Sequence, residues 1–252
     1  MFRLVILASI AAALPVAAAA QSCPGNPDAL GTARVLAVDV GTTPRVGRKQ
    51  FPDTLPLGPK ELVLTFDDGP WPGTTPAVLK ALKAECVRAT FFLLGRNVAA
   101  HPELARQELA EGHSIGHHTF GHPLLSRMAP DKAMAEIAKG MRADDAATGD
   151  RSMPFFRFPG FAGTPELLAR LAARGIVVFG ADVWASDWNE QTPEDELKLL
   201  LGRIEKVDRG IVLLHDTRAQ TARMLPALLR ALKARGYRIV HVVAAGDGPP
   251  AR

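Results

Sequence analysis

Strand-like and helix-like stretches alternate through residues 61–243, and this constrains the fold more than any other feature of the chain. ELVLTF (61–66), RATFFLLG (88–95), HSIGHH (113–118), FFRF (155–158), IVVFGADV (176–183), GIVLLHD (210–216) and YRIVHVV (237–243) read as short strands. Helical patterns separate most of them, at residues 75–86, 101–112, 130–147, 164–175, 192–207 and 224–236. Three of these helices open on Thr-Pro, a capping residue followed by one whose fixed φ suits the first turn, with Thr75 as the first such cap. Glycines close several of them. About seven strands, nearly all followed by a helix, argue for an α/β fold with a parallel sheet wrapped by helices. At 252 residues, a closed or nearly closed (β/α) barrel is the first expectation and an open doubly wound sheet the second. A hydrophobic share of 47% is ample to fill such a core.

The ends of the chain read differently. Residues 1–20 carry an early Arg3, an apolar run broken by Pro15, and Ala18-Ala19-Ala20 before Gln21, the pattern of a cleavable signal peptide. Export to the periplasm or the exterior is therefore expected, and no later segment reaches membrane-spanning length. Residues 21–60 are rich in Pro and Gly with little periodicity and read as an arm lying over a catalytic domain at 61–245, with 246–252 a tail. The two cysteines, Cys23 and Cys86, are expected to pair in an oxidising compartment, tying the arm to the first helix. The net charge of +4 comes without a dense Lys/Arg block, which argues against a nucleic-acid partner.

The chemistry-bearing residues fall at the C-terminal ends of the strands, the edge where α/β folds place their sites. Asp67 and Asp68 follow ELVLTF, His118 and His122 follow HSIG, Arg157 lies in FFRFPG, Asp187 and Trp188 follow VVFGADV, and His215 ends GIVLL. Two adjacent carboxylates repel each other, which suggests that one binds a metal while the other handles a proton. Histidines four apart in HHTFGH (117–122) can face one ion, and two imidazoles with one carboxylate form a familiar catalytic set. The residues alone leave the choice open among His113, His117, His118 and His122. A glycosidase using Asp67 and Asp68 as an acid pair is disfavoured, because adjacent strand residues point to opposite faces and poorly suit the opposed carboxylates such hydrolysis needs.

TFDDGP, HTFGH, RFPG, SDW and LLH, in this order, resemble the motifs of the polysaccharide deacetylases, the NodB-homology group of carbohydrate esterase family 4. The resemblance covers roughly residues 60–243. It implies a distorted (β/α) barrel and metal-dependent removal of N- or O-acetyl groups from an acetylated glycan. It further implies Asp68, His118 and His122 as metal ligands, with zinc the first expectation and cobalt or another divalent ion possible. Asp67 would be the general base, paired with Arg157, and His215 the general acid, held cationic by Asp187. The Gly160 N–H would stabilise the oxyanion, and Trp188 and Leu213 would wall a pocket for the acetyl methyl group.

Two departures stand out. Trp184 occupies a position where the fourth motif usually has aspartate, with Asp182 displaced nearby, and the third motif reads Arg157-Phe158-Pro159-Gly160-Phe161. Both weaken any inference about which sugar is bound, so chitin oligomers, peptidoglycan, poly-N-acetylglucosamine and xylan all stay open. With 6% aromatics no long stacking platform is expected, which favours a short or soluble glycan. A small-molecule amidase and a non-catalytic glycan-binding barrel are the competing readings. The oligomeric state is not legible.

Overall fold

A computed structural model describes residues 23–246. The expected signal peptide (1–20) and almost all of the expected tail lie outside them.

The described chain starts with two strands in the segment read as an arm, β1 (Thr32–Val38) and β2 (Arg45–Val46). Next come β3 (Glu61–Asp67), helix α1 (Thr75–Ala84), β4 (Thr90–Leu93), α2 (Gly95–Ala100), α3 (Pro102–Ala110) and β5 (Ser114–His117). The second half runs α4 (Pro130–Thr148), β6 (Phe155–Phe156), α5 (Pro165–Ala172), β7 (Val177–Phe179) and β8 (Val183–Trp184). It finishes with α6 (Pro193–Val207), β9 (Gly210–His215), α7 (Ala219–Ala234) and β10 (Arg238–Ala244).

Every ladder is parallel. From β3 the pairing runs through β4, β5 and β6 to β7. The chain then passes from β7 into β8, which pairs with β9, and β9 pairs back on β3. The ring closes through this one interrupted strand, giving a distorted barrel. The sequence suggested a single strand over 176–183; the structure breaks it at Gly180. There Gln50 Oε1 accepts the Ala181 N–H at 2.8 Å and the Gly180 N–H reaches the Val46 carbonyl at 2.6 Å. β10 joins only the first two residues of β3, and β1 extends the sheet beyond β10. The short β-prone run TARVLAV was hidden in a Pro/Gly-rich setting, which is why the arm's strands were not legible.

Side-chain alternation sorts the core into two layers. On β3, Leu62, Leu64 and Phe66 pack against the helices, while Val63 joins Phe92, Phe155, Phe179 and Ile211 inside the barrel. Thr65 and Asp67 share the inward parity of Val63, Arg157 that of Phe155, and Leu213 and His215 that of Ile211. The same alternation separates two neighbouring histidines. Ile115 faces the helices, so His117 does too, and its Nδ1 meets Asp144 of α4 at 2.7 Å. His118 turns inward.

Thr164 and Thr192 cap their helices as expected, accepting the Leu167 N–H at 3.2 Å and the Asp195 N–H at 3.1 Å. Thr75 does not. Its hydroxyl accepts from the Trp71 N–H and donates to buried Asp216, so it organises the loop after β3 rather than the helix end. Helix α7 begins at Ala219, five residues earlier than the pattern suggested, and carries Pro226 inside it. A disulfide joins Cys23 to Cys86 at the end of α1.

Candidate active site

The strand ends converge on a cleft of about 380 Å³. Arg157 is fully buried at its floor. Its guanidinium donates to Asp67 Oδ1 at 2.6 Å, to Thr65 Oγ1 at 2.8 Å and to the Gly180 carbonyl at 2.8 Å. Burial pushes the Asp67 carboxyl upward from its ordinary range, and the guanidinium against it acts in the opposite sense. The strand break at Gly180 supplies one of the carbonyls that fix this arginine, so the barrel's distortion serves the site.

Asp68, His118 and His122 offer ligand atoms that all lie within 4.8 Å of one another. Asp68 Oδ1 stands 3.4 Å from His122 Nε2 and 3.6 Å from His118 Nε2. That oxygen is buried without a hydrogen-bond partner among the described residues, a costly arrangement unless a cation meets it. His118 Nδ1 faces the Arg157 carbonyl at 2.7 Å; since a carbonyl only accepts, the proton sits on Nδ1 and Nε2 presents its lone pair. Burial lowers His118 to a pKa of about 3, keeping the ring neutral. Two carboxylate-imidazole gaps near 3.5 Å, with His118 neutral and oriented, fit a divalent ion.

The backbone holds these groups under strain. Asp68 has φ 75° and His122 φ 66°, left-handed values that cost non-glycine residues energy and concentrate at functional sites. Asn97 of α2 donates to the Asp68 carbonyl at 2.7 Å. Glu136 of α4 accepts the Gly121 N–H at 2.5 Å, and Thr119 Oγ1 accepts the His122 N–H at 3.0 Å, anchoring the histidine loop. Gly69 is obligatory for a different reason, since a Cβ there would sit 2.3 Å from the Asp216 carboxylate.

On β9, the strand next to β3, His215 Nδ1 contacts Asp187 Oδ1 at 2.8 Å, and the His215 backbone N–H donates to Asp187 Oδ2 at 2.6 Å. Thr221 of α7 also donates to Asp187, at 3.0 Å. Burial opposes charge on His215, but the Asp187 hydrogen bond and the charges of Asp187, Asp67 and Asp68 outweigh it and raise the pKa to about 9. His215 Nε2 lies 4.0 Å from Asp68 Oδ2, so a cationic imidazole and the ligand set share one space. Gly160, Trp188 and Leu213 line the same cleft.

A family model described as polysaccharide deacetylase matches residues 55–179. The chain is 36% identical over 196 residues to the chitooligosaccharide deacetylase of Bradyrhizobium sp., covering 72% of this chain and 89% of that protein. The chain belongs to the polysaccharide deacetylase family. It is also 34% identical over 183 residues to the peptidoglycan-N-acetylglucosamine deacetylase PgdA of Listeria monocytogenes, covering 73% of this chain but only 38% of PgdA's length. Among solved structures, a peptidoglycan deacetylase of Bdellovibrio bacteriovorus superposes with a TM-score of 0.77 at 34% identity, over 87% of this chain and 60% of that one. A Bacillus anthracis protein described as a family 4 carbohydrate esterase pseudoenzyme shares the fold too, at 25% identity and TM-score 0.66 over 73% and 66% of the two chains. Fold alone therefore does not carry activity; the side chains must.

In this polysaccharide deacetylase-family chain, all ten singled-out residues reach one region. Asp67, Asp68, His118, His122, Gly160, Trp188, Leu213 and His215 line the cleft, with Arg157 and Asp187 directly behind them. His113 does not join, as its Nδ1 accepts the Ala89 N–H at 3.1 Å deep in the core. Asp182 also stays outside, accepting from Arg48 N at 2.9 Å, Thr54 Oγ1 at 2.6 Å and Ile211 N at 2.7 Å to pin the arm to the barrel. Sequence reasoning missed Asn97, Glu136 and Thr221, which support the site from α2, α4 and α7. Nothing in a single sequence marks a helix-borne residue as a neighbour of a strand end. It also missed the aromatic wall, where Phe161, Trp184 and Trp188 stand in file.

Proposed function

We propose that the protein is an exported, metal-dependent deacetylase that hydrolyses N-acetyl groups of an acetylated glycan. The carrying observation is that an ion-paired carboxylate, a metal-competent triad and a carboxylate-backed imidazolium surround one cleft. A divalent ion, zinc first among the candidates, would be held by Asp68, His118 and His122; it supplies Lewis acidity that favours ionised water and polarises a carbonyl. Asp67 takes the proton of the attacking water, and Arg157 holds its Oδ1 so that the second oxygen faces the cleft. The Gly160 N–H donates to the oxyanion that forms as water adds to the acetyl carbon. His215, protonated at neutral pH, gives its Nε2 proton to the sugar nitrogen as the C–N bond breaks, leaving acetate and an amine. Trp188 and Leu213 wall the methyl group.

Export is supported by the leader-like residues 1–20 and by the Cys23–Cys86 disulfide, which suits an oxidising compartment. The relatives' names support an N-acetylglucosamine-containing polymer as substrate. Acetate release from a panel of acetylated glycans tests the reading, with the protein metal-loaded, chelated, and as the Asp67→Asn and His118→Ala variants. Release by the metal-loaded wild type alone is expected. Tight metal binding with no acetate from any glycan would sink it in favour of a small-amide substrate.

A further inference from the structure

Three aromatic rings run outward from His215 along one wall of the cleft. Trp188 meets the His215 ring edge-on with centroids 6.0 Å apart, Trp184 meets Trp188 at 6.0 Å, and Phe161 lies within 28° of parallel to Trp184 at 6.2 Å. All line the cleft that holds Asp68, and Trp188 is 45% exposed. Exposed apolar surface continuous with a polar site marks ligand contact, and flat rings suit the C–H face of a pyranose.

Charge at the rim is a second, independent observation. Lys49 places its ammonium 5.0 Å from the centre of the Trp184 ring, and Arg218 lines the cleft near His215. Both are exposed. The described arginines in ion pairs are Arg34, Arg157, Arg170, Arg235 and Arg238, and the one lysine is Lys233, so neither rim cation has an acidic partner among the described residues. Asp67 is held by Arg157 and Asp187 by His215, while Asp68 faces His118 and His122 in the ligand set, so none of these acids neutralises a rim cation. Lys49 is held in place, since its N–H donates to Ala181 at 2.9 Å and its neighbour Arg48 donates to Asp182 at 2.9 Å.

We propose that Phe161, Trp184 and Lys49 form a subsite for the sugar adjoining the one deacetylated, and that with Arg218 it selects a glycan bearing carboxylates. The inference rests on the deacetylase reading and names its substrate class. The neighbouring pyranose packs along the Phe161–Trp184 wall, and the Trp184 π-face steadies Lys49 beside it. The ammonium and the Arg218 guanidinium then meet the substrate's carboxylates.

The test compares oligosaccharides of alternating N-acetylglucosamine and N-acetylmuramic acid, and of alternating N-acetylglucosamine and glucuronic acid, each against its own carboxyl methyl ester. Acetate release gives kcat/KM, and tryptophan-fluorescence titration gives binding without turnover. The free acid is expected to be preferred about fivefold in at least one series, through KM rather than kcat, and less so at high salt. Lys49→Gln and Arg218→Gln each shrink that ratio, whereas Trp184→Ala weakens acid and ester alike. The series showing the preference tells a lactyl carboxylate from a uronate. Equal binding of acid and ester by the wild type, or a ratio unmoved in both glutamine variants, overturns the subsite even if acetate is released. A preference in binding without acetate release keeps the subsite and refutes the deacetylase reading instead.

Discussion

Gly140 sits in the middle of α4, where propensity alone says that alanine should stabilise the helix by about 1 kcal/mol. The tertiary structure predicts the reverse. A Cβ at Gly140 would lie 2.4 Å from the Thr119 carbonyl carbon, 2.5 Å from its oxygen and 2.8 Å from the Phe120 nitrogen. All three are backbone atoms of the loop that delivers His118 and His122, so no side chain can swing aside. Relief requires the loop and α4 to part by about 1 Å, a strain of about 1–3 kcal/mol for an overpacked contact. Net of the propensity gain, Gly140→Ala should lower the melting temperature by a few degrees, at about 2–4 °C per kcal/mol for a chain of this size. Metal ligation tolerates ligand displacements of only about 0.2 Å, so zinc affinity should fall about ten- to a hundredfold. Thermal melts of the metal-free protein and calorimetric zinc titrations of both forms read the two effects separately. If Gly140→Ala melts higher and binds zinc as tightly as the wild type, the loop is not seated on α4 and the argument fails.

Glu108 is fully buried, and neither carboxyl oxygen has a partner among the described residues; burial, then the charges of Asp216 and Asp144, raise its pKa well above 4.5. The folded state keeps a proton that the unfolded chain releases, so its stability falls above pH 4.5 by about 1.4 kcal/mol per unit. Urea melts of Glu108→Leu should fall less steeply with pH by about 1.4 kcal/mol per unit, the remaining slope coming from Asp144, Asp216 and Glu196, each raised to about 7, and should gain about 1–3 kcal/mol at neutral pH; a slope equal to the wild type's would show that this carboxyl contributes none of it. Arg157→Met strands the buried Asp67 carboxylate and should cost about 3–5 kcal/mol in urea unfolding, with the acid limb of activity moving to higher pH. His215 is raised from 6.5 to about 9, so its stabilisation is complete below pH 6.5 and lost as pH rises through about 9. Asp187→Asn should pull the alkaline limb of kcat/KM down toward 6.5, making the activity deficit about twentyfold larger at pH 8 than at pH 6. A deficit equal at both values would reduce Asp187 to a structural residue.

Most of the architecture was legible because helix and strand periods are local properties of the chain. The strands through residues 61–243 and the Thr-Pro helix starts at 164 and 192 needed no knowledge of neighbours. β1 and β2 did, since each is a strand only because β10 or β7 offers it an edge. The split at Gly180 likewise follows from Val46 and Gln50 pressing on it from a distant segment.

The sequence by itself determined the parallel barrel, the strand ends as the working edge, and the residue types gathered there, because alternating apolar runs and Gly/Pro punctuation act over a few residues. Only the tertiary structure shows where each imidazole goes, which the residues alone left open. His117 and His118 are adjacent and chemically identical, yet the pleat sends one to Asp144 among the helices and the other to Asp68 within the barrel. It also turned scattered Phe161, Trp184, Trp188 and Lys49 into one wall, since a surface assembled from the arm and two separate barrel segments exists only once the ring has closed.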